Sequence, residues 1–364
     1  METNSRARTD TLPNPRVLHI RAVGDVMSGT NFPRPSYLPP RMGIELWRAV
    51  KEPLRAADLS FANHEGVILN DGGIFKNCRD TNLCYLFRVP EPLSYHLLDA
   101  GIDVVSLANN HAGDFGDTGR VNTMEVLSRL GIAHAGQLQQ PFCIIERQGL
   151  QIGVLAFSPI VNTPDINDLP QAAERVRALD EKVDLVVVSF HGGAEGKAHQ
   201  HVPDTTEMYY GEKRGHLRAF ARTVIDAGAD LVLGHGPHVV RGMELYKNRL
   251  VAYSLGNFLT YARFKLRGPN GWAPMLEVHL DRRGRLTSGR IHSFIQEGEG
   301  GPKPDPQGRA FRAIRDLTEE DFPGTPLVFE PNGRFRPRGR AADGAGGRIR
   351  SPVTPPQKKK SKKD

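Results

Sequence analysis

Val104-Val105-Ser106-Leu107-Ala108-Asn109-Asn110-His111 passes from an apolar, β-branched run straight into two amides and an imidazole. Such a run reads as a buried strand, and packing gives no reason for Asn-Asn-His behind it. The same change of character recurs four times along the chain. Residues 17–23 lead into Gly24 and Asp25, and residues 59–62 into Asn63, His64 and Glu65. Residues 185–190 lead into His191, and residues 231–234 into His235 and, three positions on, His238. In an open α/β sheet the crevice lies at the carboxyl ends of the strands, where loops carry ligands and catalytic groups. Side chains spread between positions 25 and 238 can therefore meet at one edge. A mixed Asp/Glu/Asn/His set suits one or two divalent cations such as Mn, Fe or Zn.

Outward from these strand ends, short apolar strands alternate with helical patterns, which predicts an α/β fold. Helices are expected over residues 91–100, 118–130 and 169–179, with Gly101 and Gly131 as stops for the first two. A longer helix is expected over 207–227, closed by Gly228. After Gly256 the pattern changes: residues 276–280 and 291–296 read as an antiparallel hairpin, followed by a Gly/Pro-rich loop and a short helix over 310–317. One domain over residues 16–325 is expected, preceded by a polar, disordered segment 1–15. A basic, disordered tail over 330–364 should come after it.

The whole-chain net charge of +7 is local. Residues 331–364 hold eleven Lys or Arg and two Asp, a net +9, which leaves −2 for everything before them. A generally basic surface is excluded, and with it nucleic acid as an expected partner. No run reaches the roughly 18 apolar residues of a membrane span. The polar first fifteen residues lack the apolar core of a secretory signal, so the sequence as written is expected in the cytoplasm. Three cysteines do not make a disulfide framework; Cys78 and Cys84 could pair if the protein were exported, and Cys143 would remain a free thiol.

Each strand-end residue has an ordinary alternative. Asp25 after a strand is more often a turn or helix cap, and a lone His191 is more often a satisfied structural group. Glu65 alone is equally weak. Asn109-Asn110-His111 is stronger, because an Asn carbonyl can complete a metal shell and a neighbouring His can donate a proton to a leaving group. Gly234-His235-Gly236-Pro237-His238 places two imidazoles within four residues on a loop shaped by Gly and Pro. Glu195 reads equally as a site residue or a solvated loop carboxylate, and Asn257 as a pocket residue or part of a structural turn. His199, His201 and His216 receive no role.

Together these segments resemble the capsule synthesis protein CapA family, linked to poly-γ-glutamate, within the calcineurin-like metallophosphoesterase superfamily. The matching stretches are Gly24-Asp25-Val26-Met27, Ala62-Asn63-His64-Glu65-Gly66 and Ser106-Leu107-Ala108-Asn109-Asn110-His111. Further on come His191-Gly192-Gly193-Ala194-Glu195, the stretch from Gly228 to Val239, and Tyr253-Ser254-Leu255-Gly256-Asn257-Phe258. The resemblance implies a four-layer α/β sandwich with the metal site at the strand C-terminal ends. By position it implies Asp25, Glu65 and His238 as ligands of one metal. Glu65, Asn110, His191 and His235 are implied as ligands of the other, with Glu65 bridging and His111 as proton donor. The superfamily's Asp-x-His becomes Asp25-Val26-Met27 here, its His-x-His gains a residue between His235 and His238, and Glu65 stands where it has Asp.

For function, the resemblance implies a metal-dependent hydrolase of poly-γ-glutamate production, acting on a phosphoester or a γ-glutamyl amide. Two alternatives stand beside it: a general phosphoesterase for nucleotides or phosphosugars, and a polymer-binding or assembly factor without turnover. The implied partner is an anionic polymer or phosphoester, with the basic tail offering contact to polymer or to an anionic membrane surface. Family function points to the cell envelope, against the cytoplasmic expectation from the leaderless start.

Overall fold

Along the strand Leu185–His191, Leu185 and Val187 face one core while Val186, Val188 and Phe190 face another. Leu231 and Leu233 alternate in the same way with Val232. Strands with two apolar faces must be covered on both sides, and this dictates the layering. The structure, a computed structural model, describes residues 17–77 and 85–339. Among these, a ten-stranded and a six-stranded sheet pack face to face, with helices outside each. The inner core holds Ile20, Phe61 and Val104 from the first sheet against Val154, Val187 and Leu233 from the second. Helices Glu91–Asp99 and Gly116–Arg129 cover the first sheet through Leu97, Val126 and Leu127. Helices Leu169–Asp180 and Leu217–Asp226 cover the second through Val176, Phe220 and Val224. The result is the four-layer α/β sandwich expected.

Parallel strands bring the strand ends together. In the first sheet Leu18–Met27, Leu59–His64 and Val104–Ser106 run parallel, with Asp25 opposite Asn63 and Asn63 opposite Ser106. In the second, Leu185–His191 and Leu231–His235 run parallel, with His191 opposite His235. A short strand, Asn257–Thr260, crosses over from the second sheet to lie parallel to the first strand, with Asn257 opposite Asp25. Gly24 is required there: a Cβ on it would sit 1.9 Å from the Gly256 carbonyl oxygen. The remaining half of the first sheet is antiparallel, built from Trp272–Leu280 and Leu286–Ile295, as the hairpin pattern predicts.

Two expectations fail. The helix expected over 207–227 begins only at Leu217, where the His216 ring nitrogen caps the Ala219 amide. Before it the chain makes a tight hairpin, Met208–Tyr209 with Glu212–Lys213, turning through Tyr210 and Gly211 at φ of 47° and 81°. Two positive φ values in succession suit such a turn and cannot belong to a helix. The tail is also ordered further than its composition suggests. Arg334–Pro337 pairs with Leu327–Phe329 and with Leu286–Ile295, so residues 331–339 are part of the sheet region rather than a disordered tail. One residue decides this: Phe335, alternating with Arg334 and Arg336, is buried against Gly289. Segments 1–16 and 340–364, together with Cys78 and Cys84, lie outside the described residues. Cys143 is buried, which pushes its thiol up to about 12 and makes it unreactive. No helix of the described residues is long and apolar enough to cross a membrane.

Candidate metal centre

The carboxyl edges of the two sheets converge on Asp25 and Glu65, both fully buried. Asp25 accepts a hydrogen bond from Asn63 Nδ2 at 2.8 Å through Oδ1, and that oxygen lies 3.5 Å from His235 Nδ1. Its other oxygen is 3.0 Å from His238 Nδ1. Glu65 Oε1 is 3.5 Å from His238 Nε2 and 3.8 Å from His111 Nε2. The His191 and His238 rings stand edge to face with centroids 6.3 Å apart. One ligand atom each from Asp25, Glu65 and His238 falls within 4.8 Å of the others. Gly236, at φ 114°, lets the loop between the two histidines run against Gly192, where a Cβ would meet the Gly192 oxygen at 2.6 Å. His238 itself is held at φ 57°, a left-handed conformation that a non-glycine residue adopts at some cost.

Unmet demand is what marks this edge. Both oxygens of Glu65, Oδ1 of Asn110 and both ring nitrogens of His191 and of His235 are buried without a hydrogen-bond partner. A buried polar atom left unpaired is rare and costly, and here seven of them belong to four of the residues expected as ligands. Burial pushes the Glu65 carboxyl well above its ordinary value and the His191 imidazole well below its own. Burial also opposes ionisation of Asp25, yet the His235 and His238 imidazoles outweigh it and hold that carboxyl far below the usual range. At His238 desolvation is again outweighed, by Glu65 and Asp25, and its pKa rises to about 10. Carboxylate, amide oxygen and imidazole, all desolvated and lacking partners, fit one or two divalent cations.

Residues 19–262 match the family described as bacterial capsule synthesis protein PGA_cap. The chain belongs to that family. It is 25% identical over 334 residues to the capsule biosynthesis protein CapA of Bacillus anthracis, covering 84% of this chain and 74% of the relative. It is 26% identical over 328 residues to the PGA biosynthesis protein CapA of Bacillus subtilis, covering 84% and 78%. A putative 5'-nucleotidase from Staphylococcus aureus superposes with a TM-score of 0.42 at 16% identity, covering 84% of this chain and 58% of that one. The purple acid phosphatase PPD1 of yellow lupin gives 0.38 at 10%, covering 86% and 58%. These superpositions are loose and decide nothing on their own.

In this PGA_cap chain Met27 is not among the groups that gather at the edge. Met27 packs in an apolar cluster with Phe87, Val89 and Leu93, and its sulfur accepts the Gly29 amide. His238, swung round by its left-handed backbone, faces Asp25 instead. Asn257 backs it, with Oδ1 3.1 Å from His238 Nδ1 and Nδ2 donating to the His238 carbonyl. Asn109 of the Asn109-Asn110-His111 run is turned inward: its Nδ2 donates to Asn63 Oδ1 and the His64 carbonyl, and its Oδ1 accepts the His111 amide. It shapes the loop that presents Asn110 and His111. Glu195 is partly exposed at the rim and pairs with buried Arg214 at 3.0 Å.

Sequence alone does not reveal Asp114. It is fully buried, 2.7 Å from His111 Nδ1 through Oδ2, and 2.5 Å from Lys76 Nζ through Oδ1. Asp114 therefore fixes the His111 ring with Nε2 toward Glu65. Its spacing three residues after His111 is the available signal, obscured because Gly113-Asp114 reads as an ordinary turn. Phe87 lies against the His111 ring and Phe264 against that of His238, giving the site an apolar wall.

Proposed function

We propose that this edge is a divalent-metal centre hydrolysing a phosphoester or γ-glutamyl amide of an anionic polymer in capsule biosynthesis. The observation that carries the reading is the set of buried, partnerless lone pairs on Glu65, Asn110, His191 and His235. Asp25, Glu65 and His238 would hold one cation, and Glu65, Asn110, His191 and His235 a second. Bound there, such ions polarise a substrate oxygen and bring the pKa of a bound water toward neutrality. The chain's own residues supply the rest. As the imidazolium, whose formation burial opposes and Asp114 favours, His111 presents Nε2–H to the site and delivers that proton to the leaving oxygen or nitrogen as water adds to phosphorus or to the carbonyl carbon. Asp114 keeps the other ring nitrogen protonated and the ring in place. Phe87 and Phe264 exclude water from one side, which strengthens the electrostatics within.

The likeness to the Bacillus capsule and PGA biosynthesis proteins supports an association with the cell envelope, and the basic tail supports contact with an anionic polymer or lipid surface. Since the sheet extends to Pro337, that contact is tested by removing residues 340–364 and titrating polymer binding with salt; unchanged binding would sink it. The centre is tested by elemental analysis of the wild type and of His191→Ala and His235→Ala. An aryl phosphate and a γ-glutamyl anilide are assayed alongside. Near-stoichiometric Mn, Fe or Zn lost in both variants, with turnover of either substrate, is expected. Absence of metal after reconstitution would overturn the reading, and metal without turnover would move it to a polymer-binding factor.

A further inference from the structure

The first sheet carries a second gathering of imidazoles, on its antiparallel half and away from the carboxyl edge. Strand register sets His19 opposite His279 and Arg21 opposite Glu277, while His292 lies one strand further on, opposite Met275. Because side chains alternate, all five residues emerge on the outer face of the sheet, the face on which Val23, Met275 and Phe294 join the outer core. Their side chains are only 13–31% exposed.

Glu277 is the centre of the group. Its Oε1 lies 3.1 Å from His279 Nε2. Its Oε2 is 3.5 Å from His19 Nε2, 2.9 Å from His292 Nε2 and 2.7 Å from Arg21 Nη2. The His19 and His279 rings stack with centroids 4.8 Å apart and planes within 8°. His19 Nε2 is buried and makes no hydrogen bond.

We propose that His19, Glu277 and His279 form a peripheral zinc-class site, separate from the buried centre. One ligand atom from each lies within 4.8 Å of the others. Ligands bound tetrahedrally at 2.0–2.1 Å stand about 3.3 Å apart, and the 3.1 Å between Glu277 Oε1 and His279 Nε2 is close to that edge. Two imidazoles with one carboxylate select a borderline ion such as Zn²⁺ over Ca²⁺ or Mg²⁺. Three protein ligands leave a fourth position for water.

Arg21 and His292 play the supporting part, fixing the Glu277 oxygen that the ion does not use. Arg21 is itself anchored by the Pro53 carbonyl. Its positive charge lowers affinity for a dication, which makes the site exchangeable rather than permanently loaded. An ion here would tie the first strand of the sheet to its antiparallel neighbour.

The test uses the full chain carrying both Glu65→Gln and His235→Ala, so that each of the two cation positions of the buried centre loses a ligand. Equilibrium dialysis should leave about one equivalent of Zn²⁺, and Co²⁺ in its place should show the visible absorption of a four-coordinate ion. Adding His279→Ala should weaken zinc binding more than about tenfold with an unchanged circular dichroism spectrum, because His279 is partly exposed and its removal opens no cavity. Failure of the double variant to bind zinc, or binding indifferent to His279→Ala, would overturn the proposal. If the double variant does not fold, wild type is compared with single His279→Ala: loss of about one equivalent supports the site, and equal zinc content overturns it.

Discussion

Two clusters of histidine and carboxylate sit on the same sheet, and they are chemically alike but physically opposite. At the carboxyl edge, Glu65 is fully buried and neither of its oxygens has a hydrogen-bond partner. On the outer face, Glu277 accepts from Arg21, His279 and His292. Despite partial burial those donors hold its carboxyl far below the usual range. The edge is a frame of ligands short of a charge, whereas the outer cluster is a network already close to balance. Residue type is the same in both; what differs is how much bonding capacity the fold has left unspent. That difference predicts tight metal binding at the edge and weak, exchangeable binding on the face.

The largest break in this contrast comes from the edge itself. His235→Ala should remove the cation held with Glu65, Asn110 and His191 and take hydrolysis to background, while the Arg21–Glu277 network is untouched. His111→Ala should keep the metal and lower kcat by about 10²–10⁴-fold, a separation of binding from proton transfer that metal analysis beside steady-state kinetics reads directly. Asp114→Ala should cost less, about 10–100-fold. It should also flatten the pH profile, since the ring loses the carboxylate that fixes both its place and its tautomer.

A smaller effect sharpens the comparison through stability. His64, next to Glu65, is fully buried with both ring nitrogens unpaired, and desolvation pushes its pKa down to about 4 from 6.5. The unfolded chain therefore takes up that proton first. The contribution of neutral His64 is complete above pH 6.5 and declines by about 1.4 kcal/mol per pH unit toward pH 4, where it levels off. Urea unfolding at pH 7 and pH 5 should show a steeper loss for wild type than for His64→Asn; parallel losses would refute the assignment. The smallest effect is expected of Met27→Leu, below about 1.5 kcal/mol and without change in metal content, because Met27 packs with Phe87 and Leu93 rather than at the metal.

Much of the edge was legible because each proposed ligand comes at, or within a few residues of, the end of an apolar strand, and parallel pairing then aligns strand ends whatever the loops do. Asp25, Glu65, His191, His235 and His238 all announce themselves in this way. Asp114 does not: it acts from a turn, and its role exists only through contact with His111. The outer cluster was invisible for a different reason. His19, Glu277, His279 and His292 lie within strands rather than after them, and only the register of two antiparallel pairings brings them together. The misplaced helix over 207–227 shows the limit of apolar spacing, since Gly211 and Gly215 at positive φ override it. Phe335 shows the converse, one buried ring ordering a stretch whose composition argues for none.

The crossing at Gly256 has a mechanical consequence. Leu255 donates its amide to Gly234 in the second sheet, and the very next residue accepts from the Asp25 amide in the first. The seam between the sheets is thus sewn by two adjacent peptide units at the place where His235 faces Asp25. Sliding one sheet over the other would have to tear that stitch. The distance between Asp25 and His235 is therefore held by two adjacent peptide units in addition to the fit of the core, and variants that loosen the inner packing should soften this edge least.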